Sequence, residues 1–139
     1  MPADYAPLLW PDIQELLREK GQKWLEVVDE KEIYGCLLSG QWEAWIATQG
    51  EEMLGLMVCA WEHHSRQRFY HVLWGGGTKL YLYLQMGLEK IEKYACMNET
   101  TEIVIGGRPG WSRKLASLGY APKRDYVELR KNVTVLWSN

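Results

Sequence analysis

Apolar residues recur along this chain with two different spacings, and the spacing separates predicted helices from predicted strands. Between Ile13 and Leu17 they lie three or four residues apart, which is typical of one face of an amphipathic helix. Over Trp42–Thr48 apolar and β-branched residues instead form a short run that turn residues end, which indicates a strand. The longest helical pattern, Lys79–Met97, carries a stripe of leucines and one isoleucine, so it predicts the main helix of the fold.

Residues that start and stop helices set the remaining boundaries. Asp29, with Glu32 three residues later, is a variant of the capping box and opens a second helix that Gly40 ends. Residues 1–9, with two prolines, are predicted to form an N-terminal arm of a single domain over residues 1–139, and residues 132–139 to form a last strand or tail. The predicted elements, in the order α-α-β-β-β-α-β-α-β, are helices Trp10–Gly21 and Asp29–Gly40, strands Trp42–Thr48, Met53–Glu62 and Phe69–Trp74, helix Lys79–Met97, strand Thr101–Ile105, helix Pro109–Gly119 and strand Tyr126–Leu129.

The segment Thr101–Arg130 forms the most distinctive unit. It combines a β-branched strand, the run Gly107-Arg108-Pro109-Gly110-Trp111 and a short helix that ends in Leu118-Gly119-Tyr120. This order of elements is how the last third of GNAT-type acyltransferases is built, and the segment most resembles the divergent GNAT-like proteins of tailed bacteriophages. The resemblance covers roughly Trp42–Arg130. It implies an α/β (α+β) fold whose mixed sheet has an antiparallel meander followed by a parallel pair of strands that splay apart.

The resemblance also implies a cofactor site. In the family acetyl-CoA lies in the splay, and backbone N–H groups at the start of the main helix hold its pyrophosphate, because a helix N-terminus is an anion site. Gly75-Gly76-Gly77-Thr78 stands where the family has Q/R-x-x-G-x-G/A, without the Gln or Arg; the alternative is a flexible turn between strand and helix. The residues predicted to bind the cofactor are Trp74, Gly75, Gly76, Gly77, Thr78, Lys79, Gly107 and Arg108.

Catalytic candidates are fewer. Alternation along the second strand places Glu62 and His64 on one face and His63 on the other, and either of the first two would serve as the base that takes a proton from an amine. The alternative is a polar strand end. Aligning the Leu-Gly-aromatic motif puts Leu115 where the family commonly has its general-acid tyrosine, which leaves Tyr126 as the candidate acid. No spacing of His and Cys matches a zinc pattern, so no metal is expected.

The charge distribution bears on the possible partners. Residues 1–62 carry 12 acidic and 4 basic side chains, whereas residues 108–131 carry 7 basic and 2 acidic ones. The basic segment over residues 108–131 is either a face exposed to solvent or a binding site for phosphates. A net charge of −2 argues against general binding of nucleic acid. Beside a single Phe, the eight Trp and eight Tyr are mostly expected in the core, and the rest at an interface.

Two functions follow from these patterns. The first is an acyl-CoA-dependent N-acyltransferase that acts on a small-molecule or protein amine. The second is a catalytically inactive GNAT-like phage protein of the virion, core or assembly machinery that acts through contacts with other phage proteins. Three scattered cysteines, no secretion signal and no apolar run of membrane length predict a location in the host cytoplasm or the virion. The patterns leave open whether the protein forms a homo-oligomer.

Overall fold

The computed structural model describes residues 1–78, 80–100, 102–105 and 112–121 of the chain. Contacts divide the chain into two compact units, residues 1–107 and residues 108–139. The first unit contains the sheet and most of the helices. Of the second unit, the structure describes one short helix and its C-terminal cap. That the chain forms a single domain remains a prediction from the sequence.

The helical N-terminal part begins earlier than the sequence predicts. A 3₁₀ turn at Ala3–Tyr5 leads directly into helix α1, Ala6–Lys20, so the predicted arm over residues 1–9 is wrong. Pro7 suits the first turn of a helix because the missing N–H would have no partner there. Ala6 is only 1% exposed, and the Met1 ammonium donates to the Ala44 carbonyl oxygen at 2.9 Å, which holds this end on the first strand.

Two further helices follow α1 before the sheet. Helix α2, Gln22–Leu25, is a single turn that the sequence pattern did not predict. Helix α3, Glu30–Ser39, begins where the capping residue predicts, because the Asp29 carboxylate accepts a hydrogen bond from the Lys31 N–H at 2.7 Å. It ends at Gly40, whose φ of +81° is the left-handed conformation expected of a helix-ending glycine.

Over the described residues the sheet has four strands in the order β1-β2-β3-β4, which confirms the predicted mixed sheet. The first three are antiparallel, and β3 and β4 are parallel neighbours, as a crossover through a long helix requires. Strand β3 is three residues longer than predicted, because Arg68 pairs with His63 at its start and Gly75 and Gly76 pair with Met57 and Leu56 at its end. The elements are β1 Trp42–Gln49, β2 Glu52–His63, β3 Arg68–Gly76, helix α4 Leu80–Met97 and β4 Ile103–Ile105.

The two faces of the sheet pack against different helices. On one face α1 and α3 cover a core that includes Leu56, Val58 and Trp74. On the other face Tyr94 of α4 lies against three aromatic side chains of the strands, Trp45, Trp61 and Tyr70. The face of α1–α3 and the face of α4 are therefore distinct environments.

The short helix of the second unit is α5, Ser112–Ser117. Gly119 follows with a φ of +94°, and the Tyr120 N–H donates to the Leu115 carbonyl at 3.0 Å, so the predicted left-handed cap is confirmed. The predicted strand Tyr126–Leu129 and the tail over residues 132–139 lie outside the described residues. In the part of the chain that the structure describes, no helix is both long and apolar enough to cross a membrane.

Candidate functional site

The side of β3 that pairs with β4 leads toward the start of α4. Among the described residues, pairing between the two strands runs from Tyr70–Ile103 to Val72–Ile105, while β3 continues to Gly76 and residues 106–111 after β4 lie outside the described part. Immediately beyond the last pair, the register against β2 shifts so that Leu73 has no partner, which is a bulge. Among the described residues, no strand pairs with β3 beyond Val72 on this side.

The glycine run at the end of β3 is only partly a loop. Gly75 and Gly76 belong to β3, so the turn into α4 starts at Gly77 and Thr78. A β-carbon on Gly77 would lie 2.3 Å from the Leu54 carbonyl oxygen, and one on Gly76 would lie 2.6 Å from the Trp74 ring. Both glycines are thus required by the packing of the protein itself. Lys79, which the sequence adds to this site, lies outside the described residues.

Trp74 does not offer its side chain to a ligand at the end of β3. The residue is 9% exposed, and its ring stacks on Trp24 with 5.7 Å between centroids and an angle of 3° between planes. Trp24 stacks in turn on Trp42 at 5.9 Å, so three indoles form a column on the face of α1–α3. Only the backbone of Trp74 remains as a contact for a cofactor.

Five carboxylates surround a cleft of about 250 Å³ next to Thr78. They come from the solvent side of α1 and from the turn between β1 and β2. A phosphate on this side of the turn would meet repulsion, because the nearest charges have its own sign. The acidic residues are Asp12, Glu15, Glu19, Glu51 and Glu52.

Three polar side chains gather at the far end of the β2–β3 hairpin, and we call Glu62, His64 and His71 the Glu62 cluster. The Glu62 Oε1 makes a short hydrogen bond with His71 Nδ1. Its Oε2 lies 3.8 Å from His64 Nε2. A tight turn holds the geometry, since the His64 N–H donates to the Gln67 carbonyl at 2.8 Å. The sequence therefore placed Glu62 and His64 together as the structure has them, but it missed His71.

The pairing of β2 with β3 explains why His71 reaches Glu62. In β2 and β3, Ala60 lies opposite His71 and Glu62 lies opposite Phe69, so Glu62 and His71 are diagonal neighbours on one face. Diagonal cross-strand side chains are within reach of each other when both are long. Predicting this contact required the exact register of the hairpin, which depends on the length of the turn.

The opposite face, under α4, holds ionisable groups that are not available for chemistry. Burial raises the pKa of the Cys59 thiol to about 12. Burial also raises the pKa of the fully buried Tyr70, whose hydroxyl accepts a hydrogen bond from Trp45 Nε1 at 2.8 Å. The pKa of Tyr94 is raised by burial and by the hydrogen bond that its hydroxyl donates to Glu43 at 2.8 Å. Cys59 and Tyr70 are buried and the Tyr94 hydroxyl is bound to Glu43, so these groups contribute to the packing of this face.

Several predicted site residues lie outside the described part of the chain, namely Gly107, Arg108 and Tyr126. Leu115, at the place of the usual acid, is described and is 8% exposed. Among the described residues, no group of three His, Cys, Asp or Glu side chains is arranged to hold a metal ion.

Comparison with known proteins finds matches for the fold of this chain but none for its sequence. No family model matches the sequence, and no curated protein matches it either. Solved structures do match the fold across nearly the whole chain. A predicted acetyltransferase with acetyl-CoA from Clostridium acetobutylicum superimposes with a TM-score of 0.68 at 13% identity, covering 94% of this chain and 92% of that one.

Two more structures give the same result. A GCN5-related N-acetyltransferase from Ralstonia eutropha JMP134 has a TM-score of 0.69 at 14% identity, covering 96% of this chain and 95% of that one. An aminoglycoside acetyltransferase from an uncultured soil metagenomic sample, in complex with sisomicin, has a TM-score of 0.64 at 8% identity, covering 97% and 93%. Identities this low establish the fold alone. The chain has the GNAT fold, the fold of the GCN5-related N-acetyltransferases.

Proposed function

We propose that this protein is an acyl-CoA-dependent N-acyltransferase. The observation that carries the proposal is the end of β3, where a bulge at Leu73 follows the parallel pair with β4 and the strand runs on to Gly76 before α4. Acyl-CoA supplies a thioester and an extended arm with amide groups, and an arm of this kind can pair with the backbone of a strand. The structural likeness to acetyltransferases, one of them with acetyl-CoA, supports the same function.

The residues proposed to hold the acyl-CoA act mainly through their backbones. Trp74 to Gly77 offer the backbone at the end of β3, and Thr78 and Lys79 lead into α4, whose N-terminus favours an anion. Gly107 and Arg108 stay proposed contacts of the cofactor on the strength of the sequence resemblance. The Glu62 cluster is proposed to take the proton of the amine, and Tyr126 is proposed as the acid. The viral origin suggested by the sequence resemblance stays a prediction.

The experiment is a titration of the full chain with acetyl-CoA by calorimetry, followed by an assay of thiol release with a panel of amines. The panel contains sisomicin, spermidine and a short peptide with a free N-terminus. We expect binding and slow turnover, since Leu115 has no proton to give and general acid help is typically worth about 10²–10⁴-fold. Absence of heat at millimolar acetyl-CoA would contradict the proposal.

A second function is a GNAT-fold phage assembly protein that has lost catalysis. The observation that favours it is the packing of Gly76 and Gly77, because both glycines are explained by contacts within the chain and need no ligand. The acidic cleft beside Thr78 points in the same direction, since it disfavours phosphate. If acetyl-CoA fails to bind, this function becomes the leading one, and the next measurement is the mass of the protein in solution by light scattering.

A further inference from the structure

The Glu62 cluster places one carboxylate between two imidazoles on the face of α1–α3. Glu62 uses Oε1 for His71 and has Oε2 toward His64, so the two histidines lie on different oxygens. The His71 contact is a hydrogen bond, whereas the 3.8 Å separation to His64 is too long for one. His64 instead packs its ring near Phe69, with 5.4 Å between centroids.

The contact with Glu62 decides which His71 nitrogen is free to accept a proton. An ionised carboxylate only accepts hydrogen bonds, so the proton of a neutral His71 must be on Nδ1. Its Nε2 then carries the lone pair and points away from Glu62. The His71 side chain is 25% exposed, which leaves the ring accessible while the sheet limits its motion. Among the described residues, the ring of His71 makes no other hydrogen bond.

His71 also lies closer to the exit of β3 than the other members of the cluster. It pairs with Val104 of β4, one residue before the last pair, Val72–Ile105, and two residues before the bulge at Leu73. His64 lies beyond the end of β2, and its side chain is 60% exposed, so it is farther along the hairpin and less confined. Of the Glu62 cluster, His71 is therefore the member that lies on the strand paired with β4, nearest the exit of β3 toward α4.

We propose that His71 is the general base of the acyl transfer and that Glu62 is its positioning residue. This inference rests on the proposed function. His71 Nε2 accepts a proton from the attacking amine while the new C–N bond forms and the thioester C–S bond breaks. The imidazolium passes this proton to water, and the departing thiolate takes a proton from the proposed acid, Tyr126, so the products are an amide and a free thiol. Imidazole suits this role because it takes and releases protons near neutral pH.

Kinetics with matched variants form the first test, using acetyl-CoA and the panel amine with the fastest thiol release. We expect His71→Ala to lower kcat by about 10²–10⁴-fold while the calorimetric Kd for acetyl-CoA stays the same. Added imidazole should partly restore the kcat of His71→Ala. It should not restore the kcat of Glu62→Gln, because that variant keeps the imidazole of His71 in a less fixed orientation. The control is His63→Ala, an exposed histidine of β2 that follows Glu62 and faces the other side of the sheet, and its kcat should be unchanged.

A second readout does not depend on turnover. Nitrogen-15 spectra of the histidine rings at pH 8 should show the His71 proton on Nδ1 in the wild type, and Glu62→Gln should shift that signal while His63→Ala does not. A proton on Nε2 would overturn the inference whatever the activity. Wild-type kcat in His71→Ala would overturn it while the acyltransferase function stands. If acetyl-CoA does not bind, the function fails first, and the role of His71 fails with it.

Discussion

The backbone of Gly77 lies against the backbone of Leu54, so closely that a β-carbon on Gly77 would stand 2.3 Å from the Leu54 carbonyl oxygen. Leu54 is itself the unpaired residue of a bulge in β2, since Ala47 faces Gly55 and Thr48 faces Met53. The exit of β3 is therefore fitted onto the bulge of the neighbouring strand. Both partners of this contact are backbone, so neither can move aside by a change of rotamer.

Gly77→Ala should destabilise the protein even without any ligand. Its φ of +151° is unfavourable for a residue with a side chain, and the β-carbon would also collide with β2. We expect a loss of at least about 1–3 kcal/mol in the free energy of unfolding, the usual cost of one strained backbone position. The measurement is urea unfolding followed by circular dichroism.

Gly35→Ala is the matched control for that experiment. Gly35 lies inside α3, is exposed, and a β-carbon there would meet nothing within 4 Å. Replacing a glycine inside a helix with alanine should stabilise the protein by about 0.5–1 kcal/mol. Equal midpoints for Gly77→Ala and the wild type would show that the exit of β3 is not packed as described.

Trp74→Ala should cost about 3–5 kcal/mol, as large aromatic truncations in cores do. The physical reason is the stack on Trp24, which loses both its buried area and its ring contact. Trp74→Phe should lose less and should keep the wild-type Kd for acetyl-CoA, because only the backbone of this residue faces the proposed ligand. A large loss of affinity in a well-folded Trp74→Phe would mean that the indole contacts the cofactor directly.

Asp29→Ala should destabilise the protein by about 0.5–2 kcal/mol, the usual effect of removing a helix cap. The carboxylate accepts the Lys31 N–H at the start of α3, and alanine leaves that donor without its partner. Asp29→Asn is the control, because its side-chain oxygen can make the same bond. Thermal unfolding of the three proteins measures the difference, and an unchanged Asp29→Ala would show that the cap contributes nothing.

Alkylation should distinguish Cys96 from Cys59 at pH 8. Cys96 is exposed and should react first with iodoacetamide, whereas Cys59 is fully buried. Since the pKa of Cys59 is raised to about 12, almost none of it is thiolate at pH 8, and the thiolate is the reactive form. Mass spectrometry of peptides should find Cys59 modified only after unfolding. Rapid modification in the native protein would contradict its buried position under α4.

Local patterns in the sequence were sufficient for the elements of the sheet and for their order. Alternation and turn residues marked the strands of the meander, and the capping residues Asp29 and Gly40 marked α3, because these signals act within a few residues of each other. The parallel pair also followed from the sequence, since a long helix between two strands leaves little choice of connection. The start of α1 was misplaced because Pro7 and Pro11 both suit a first turn, and only burial of Ala6 distinguishes them.

Contacts between distant segments were decided by the tertiary structure. The sequence contained the glycines at 75–77, but only the approach of Leu54 and Trp74 explains why side chains are excluded at two of them. It contained Trp74 as a candidate for the cofactor site, but only the structure shows that its ring is buried in a stack with Trp24 and Trp42. It contained Glu62 and His64 as neighbours along one strand, while the hydrogen bond to His71 depends on the register between two strands. Alternation determines which face a side chain takes; which residue it meets there depends on how the chain returns.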